Sequence, residues 1–161
     1  MQVVLENEAL KVTINSFGAE LASIWGKATD TEYLWNADAK FWKRTAPVLF
    51  PFVGSLKNKE YHYEGKTYSM GQHGFARDME FAVDVQTATE AWFSLRSNEE
   101  TKAKFPLEFI LKIGYELEGK ELKVIWQVEN PDTKTLYFSI GGHPAFMCPV
   151  DEKGKQSEYY F

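Results

Sequence analysis

Two of the three histidines stand where proton chemistry needs them. His73 lies in Gly71-Gln72-His73-Gly74-Phe75-Ala76-Arg77-Asp78, a loop with one glycine two residues before it and another directly after. Glycine lets a backbone turn sharply and lets a ligand come close. Arg77, four residues on, can fix an anionic or polyhydroxylated group. His143 lies in Gly141-Gly142-His143-Pro144-Ala145-Phe146, at the end of an apolar stretch. An imidazole titrates near neutrality, so two of them meeting in one cleft could move protons at physiological pH. Spacing alone equally allows two unrelated loop histidines. The third, His62, falls between Tyr61 and Tyr63, where alternation puts it on a solvated strand face.

Other chemistries find less support. There is no cysteine pair, no His-x-x-x-His and no HExxH, and a structural zinc takes four ligands, so no metal site is expected. The lone Cys148 sits between Met147 and Pro149 and reads as a small buried hydrophobe rather than a nucleophile. Glycine-rich phosphate loops are absent. The five tryptophans, Trp25, Trp35, Trp42, Trp92 and Trp126, could stack on sugar rings, but such residues more often fill a core, and that is the expectation here.

The elements that must position these groups are short and alternate with a period near two. Gln2 to Leu5, Ala9 to Ile14 and Ala19 to Gly26 read as strands, and Tyr33-Leu34-Trp35 as a fourth apolar piece. Asn36 to Lys40 suggests a helical turn. Ala46 to Gly54 is apolar but holds Pro47 and Pro51, which cannot donate to a ladder, so an ordered irregular segment over a core or cleft is expected. Tyr61 to Tyr68 reads as a hairpin turning at Glu64-Gly65. Glu80 to Gln86, Ala91 to Arg96, Phe109 to Leu117, Leu122 to Glu129 and Thr135 to Ile140 follow as strands, with one helical turn between Asn98 and Phe105. Strands at 8–12-residue spacing with turn residues between them predict an all-β, antiparallel β-sandwich.

The whole chain sets the outer bounds. At 161 residues there is room for a single domain, 44% of residues are apolar, and 16% are aromatic, a bias toward strands. Eighteen basic against 23 acidic residues leave a net charge of −5 without a basic run, which argues against nucleic acid as a partner. No stretch approaches the roughly 20 apolar residues of a membrane span, so no membrane partner is expected. One cysteine and no visible signal peptide point to a cytoplasmic protein.

Three blocks carry a resemblance. Glu32-Tyr33-Leu34-Trp35-Asn36 with Phe41-Trp42-Lys43-Arg44-Thr45-Ala46-Pro47-Val48-Leu49-Phe50-Pro51-Phe52-Val53-Gly54, then QHGFARDMEF (Gln72 to Phe81), then GGHPAF (Gly141 to Phe146), resemble the aldose 1-epimerase (mutarotase) superfamily. The nearest branch is the one associated with lactose-utilisation operons. The resemblance implies a galactose mutarotase-like β-supersandwich and the interconversion of α and β anomers of a hexose or hexose phosphate, with no cofactor and no metal. It implies His143 as general acid at the ring oxygen, His73 as hydrogen-bond partner of the developing charge or a neighbouring hydroxyl, and Arg44 as the group that orients substrate. Arg77 matches an arginine that holds phosphate in the hexose-6-phosphate branch. Members of this family run to roughly twice the present length, and their general-base glutamate lies in the part that follows GGHPAF. Residues 1–161 are thus expected to form a single β-sandwich domain, incomplete at its C-terminus and inactive alone. A non-catalytic sugar-binding sandwich and an inactive fragment that self-associates through uncovered strands are the competing readings.

Overall fold

The computed structural model describes residues 1–150 and 154–160. Its strands follow from alternation. In β1 (Gln2–Glu6) Val3 and Leu5 turn inward and are fully buried, while Val4 faces outward. In β2 (Leu10–Asn15) the inward set is Leu10, Val12 and Ile14. With β3 (Glu20–Gly26) and β4 (Thr31–Glu32) they form a four-stranded antiparallel sheet in the order β1-β2-β3-β4. After β5 (Val48–Leu49) comes a hairpin of β6 (Glu60–Tyr63) and β7 (Lys66–Ser69). Its turn has positive φ at both Glu64 and Gly65, the geometry that matches strand twist.

The second four-stranded sheet has the order β11-β10-β9-β8, from β8 (Ala82–Gln86), β9 (Glu90–Arg96), β10 (Ile110–Glu118) and β11 (Glu121–Glu129). A single α-helical segment among the described residues, α1 (Glu99–Lys104), is capped by Asn98, whose side chain accepts from the Thr101 N–H at 3.0 Å. One apolar cluster joins the inner faces of both sheets, from Val3, Val12 and Ile14 to Phe93, Leu111 and Ile113. Burying each such side chain contributes about 1.5–3 kcal/mol. Tyr115 crosses between the sheets and donates to the Ala19 carbonyl at 2.7 Å. Burial, reinforced by nearby Glu20, pushes its phenol well above the usual range.

The expected all-β antiparallel sandwich is therefore the observed architecture, and several local expectations change. Asn36 to Lys40 is not helical, and the fourth strand is Thr31–Glu32, with Leu34 making only an isolated bridge to Phe146. Thr135 to Ile140 is not a strand: Ser139 N–H donates to the Pro51 carbonyl at 2.9 Å, but the prolines at 47 and 51 interrupt any ladder alongside it. The ladder forms only at β12 (Gly141–Gly142), which pairs with β5. Cys148 is exposed rather than buried. None of the tryptophans is fully buried, and Trp25 and Trp126 are exposed. His62 is exposed as expected, its Nδ1 2.9 Å from the Thr67 hydroxyl.

Candidate functional site

The loop bearing His73 is pinned by backbone sterics. Gly74 has φ +75°, and a Cβ there would lie 2.1 Å from the Phe50 carbonyl oxygen. That carbonyl accepts the Phe75 and Ala76 N–H groups at 3.0 and 3.2 Å, so the loop can lie on the buried Phe50 only with glycine at this point. His73 itself has φ +66°, an uncommon conformation for a side-chain-bearing residue. Two bonds hold it there: its N–H donates to the Gly54 carbonyl at 2.8 Å, and Gly54 N–H donates back to Nδ1 at 3.0 Å. The second bond fixes the tautomer. Nδ1 must keep its lone pair, so the ring proton sits on Nε2. Burial, then the charges of Arg77 and His143, push the imidazolium below the usual histidine value.

His143 arrives by a different route. β12 pairs with β5 through Gly141 with Leu49 and Gly142 with Val48. Beyond it, His143 N–H donates to the Pro47 carbonyl at 3.2 Å and Ala145 N–H to the Thr45 carbonyl at 2.9 Å. The rings of His73 and His143 end 6.3 Å apart, and Trp42 lies against His143 at 4.9 Å between ring centres. Between them is a cavity of about 160 Å³, lined by Trp42, Pro47, Leu49, Gln72, His73, Arg77 and His143. It is smaller than the ~300–1,000 Å³ of a pocket for a drug-sized ligand and suits one small ring.

The two arginines part company. Arg77 lines the cavity, its Nη2 donating to the Gln72 carbonyl at 2.9 Å and its Nε 3.5 Å from Asp78 Oδ2. Arg44 is not among the lining residues. Its Nη1 donates to Glu20 Oε2 at 3.1 Å and to the Arg77 carbonyl at 3.0 Å, and its Nη2 pairs with Asp78. Arg44 thus braces the backbone that presents Arg77, and its side chain borders a separate hollow with Glu20, Trp35 and Lys43.

Behind this arrangement is Glu20, 7% exposed. Its Oε1 accepts from Thr45 N–H at 2.9 Å, Thr45 Oγ1 at 3.1 Å and Ala46 N–H at 3.1 Å. One carboxylate therefore sets Arg44 and the backbone that receives His143 and Ala145. Sequence reasoning missed it, because a glutamate opening a strand looks like any surface acid. Trp42 was missed as a cavity wall, although it stands inside the Phe41-to-Gly54 block. Chemically, the cavity offers hydrogen-bond donors, an ammonium-free cation and an aromatic wall, which suits a polyhydroxylated or anionic ring. Among the described residues no group of three or more His, Cys, Asp or Glu could hold a metal ion, and no helix is long and apolar enough to cross a membrane.

The chain is similar to several known proteins. The LacX proteins of Lactococcus lactis subsp. lactis, chromosomal and plasmid, are 38% identical over 165 residues, 99% of this chain and 55% of theirs. A galactose mutarotase related enzyme from Lactobacillus acidophilus superposes with a TM-score of 0.94 at 43% identity, over 96% of this chain and 52% of that one. A galactose mutarotase-like protein from Lactobacillus casei gives 0.88 at 42%, over 91% and 50%. The chain spans about half the length of the relatives it matches. Residues 1–160 match the family model for aldose 1-epimerase, and the chain belongs to that family.

Proposed function

We propose that this chain carries the histidine side of a site that interconverts the α and β anomers of a hexose. Opening the ring requires a base to take the C1 hydroxyl proton, the bond from C1 to the ring oxygen to break as the C1 carbonyl forms, and an acid to protonate that oxygen. Rotation about the C1–C2 bond and the reverse steps give the other anomer. His143 is the acid at the ring oxygen. His73, with its proton on Nε2, donates a hydrogen bond to the developing charge or a neighbouring hydroxyl. Arg77 fixes a further oxygen, and Arg44 keeps Arg77 in place. The convergence of His73 and His143 at 6.3 Å, with one ring locked as a donor, carries this reading.

Arg77 in the cavity wall supports a second substrate class, a hexose carrying a phosphate. Titration of the chain with galactose, glucose and their 6-phosphates, followed by NMR of the imidazole C–H signals, tests both. The expected result is movement of the His73 and His143 signals, with the 6-phosphates losing most when Arg77 becomes Gln. Binding that persists unchanged in a His73→Ala/His143→Ala variant would sink the proposal. Binding to a longer, active relative with no anomerisation dependent on these histidines would leave a sugar-binding sandwich instead.

A further inference from the structure

We infer that Asp78 is a positioning residue that acts through Arg77 and holds the cavity toward neutral hydroxyls rather than anions, an inference that rests on the sugar site proposed above. Arg77 supplies the permanent positive charge of the cavity wall. Its guanidinium is fixed at two points: Nη2 donates to the Gln72 carbonyl at 2.9 Å, and Nε lies 3.5 Å from Asp78 Oδ2. That Nε is buried and has no hydrogen-bond partner among the described residues. Removing such an N–H from water is costly, so the facing carboxylate charge is what offsets it. Asp78 stands behind the wall and does not line the cavity. The turn that carries both charges is held on two sides. Asp78 N–H donates to the Phe75 carbonyl at 2.9 Å, and the Arg77 carbonyl packs on Gly18, where a Cβ would lie 2.6 Å away.

Charge then decides what the guanidinium prefers. Glu20, Arg44, Asp78 and Arg77 alternate in sign, each paired with the next, and their charges sum to zero. A guanidinium with its charge free is a strong phosphate partner. Here a phosphate on Arg77 would sit well within the Debye length, roughly 10 Å at 0.1 M salt, of the Asp78 carboxylate. Arg44 offers no spare charge, since Glu20 Oε2 lies 3.1 Å from its Nη1. A hydroxyl feels no such repulsion and still meets a donor held in one orientation. Asp78 is therefore a built-in repulsive element, the device by which a site rejects one ligand class without losing another.

The test compares the 161-residue chain with Asp78→Asn, which removes the charge and keeps an acceptor for Arg44. Inorganic phosphate and galactose are titrated separately at low salt, read from the Arg77 Nε–H and His73 ring C–H signals. Phosphate should bind Asp78→Asn about tenfold more tightly, and the gain should shrink as salt is added. Galactose should bind no more tightly than before. Asp78→Ser, with a different shape, should give a gain of the same sign, and Arg77→Gln/Asp78→Asn should show none. Glu118→Gln removes an exposed carboxylate away from this cavity and should leave phosphate binding unchanged. Circular dichroism confirms that each variant is folded. Phosphate affinity that does not rise in Asp78→Asn overturns the inference, as does a gain that persists without Arg77. A merely structural Asp78 would weaken both ligands together, and that result overturns it too. Galactose that binds none of these proteins counts against the proposed sugar site alone, because the phosphate comparison decides the role of Asp78.

Discussion

The burial of His73, with the charges of Arg77 and His143 beside it, has a thermodynamic signature. The folded His73 value is lowered, so the unfolded chain takes up this proton first. Stability should be independent of this group above about pH 6.5, the unfolded value, and should fall as pH drops below it until the folded ring also titrates. Urea unfolding at pH 7.5 and 5.5 measures the loss. His73→Asn, which tolerates positive φ and keeps an acceptor, should lose this part of the pH dependence. Glu20 sets a larger effect. Glu20→Ala removes one side of a largely buried ion pair and strands the Thr45 and Ala46 N–H groups, at a cost of about 3–5 kcal/mol. Glu20→Gln, which retains an acceptor oxygen, should cost less in the same denaturation experiment, and equal losses would show that charge alone matters.

Among the elements, the loop at Gly74 and the turn at Gly65 make a matched comparison. Both have φ near +75°, but a Cβ at Gly74 collides with Phe50 backbone and one at Gly65 meets nothing within 4 Å. Gly65→Ala should cost about 1 kcal/mol, the strain of the conformation alone. Gly74→Ala adds displacement of the Phe50–Pro51 backbone and should cost about 2–5 kcal/mol, measured by thermal unfolding. Similar losses at the two positions would mean that the loop at 74 yields freely. Such distinctions mark how far the sequence could be read. Strands such as β2 were legible because Leu10, Val12 and Ile14 share one face, and the turn at Glu64-Gly65 because its residue types match its geometry. Thr135 to Ile140 alternates equally well but has no ladder partner, and alternation reports which face is apolar, not whether an edge is met. The glycine-flanked histidines were legible as a pair, and the family blocks supplied their order. That Arg44 would turn away from the cavity toward Glu20 was not, because an ion pair between residues 24 positions apart leaves no periodic trace.

Across the whole molecule, the cavity holds donors and a cation but no carboxylate among its lining residues. Ring opening needs acid and base on one substrate, and each contributes typically 10²–10⁴-fold. Polarimetry of freshly dissolved α-galactose and α-glucose with these 161 residues should therefore match the buffer rate. Acceleration that disappears in His143→Ala would show that a carboxylate within them reaches the sugar. The cavity is also a composite of three distant stretches of chain: Trp42 to Leu49, Gln72 to Arg77, and His143. The last is tied to the first by the two-residue ladder between β5 and β12 and by the two backbone bonds beyond it, from His143 N–H to the Pro47 carbonyl and from Ala145 N–H to the Thr45 carbonyl. Short ladders open locally at far less free energy than a core sheet, without global unfolding. Opening of that seam would carry His143 away from His73 without breaking either four-stranded sheet.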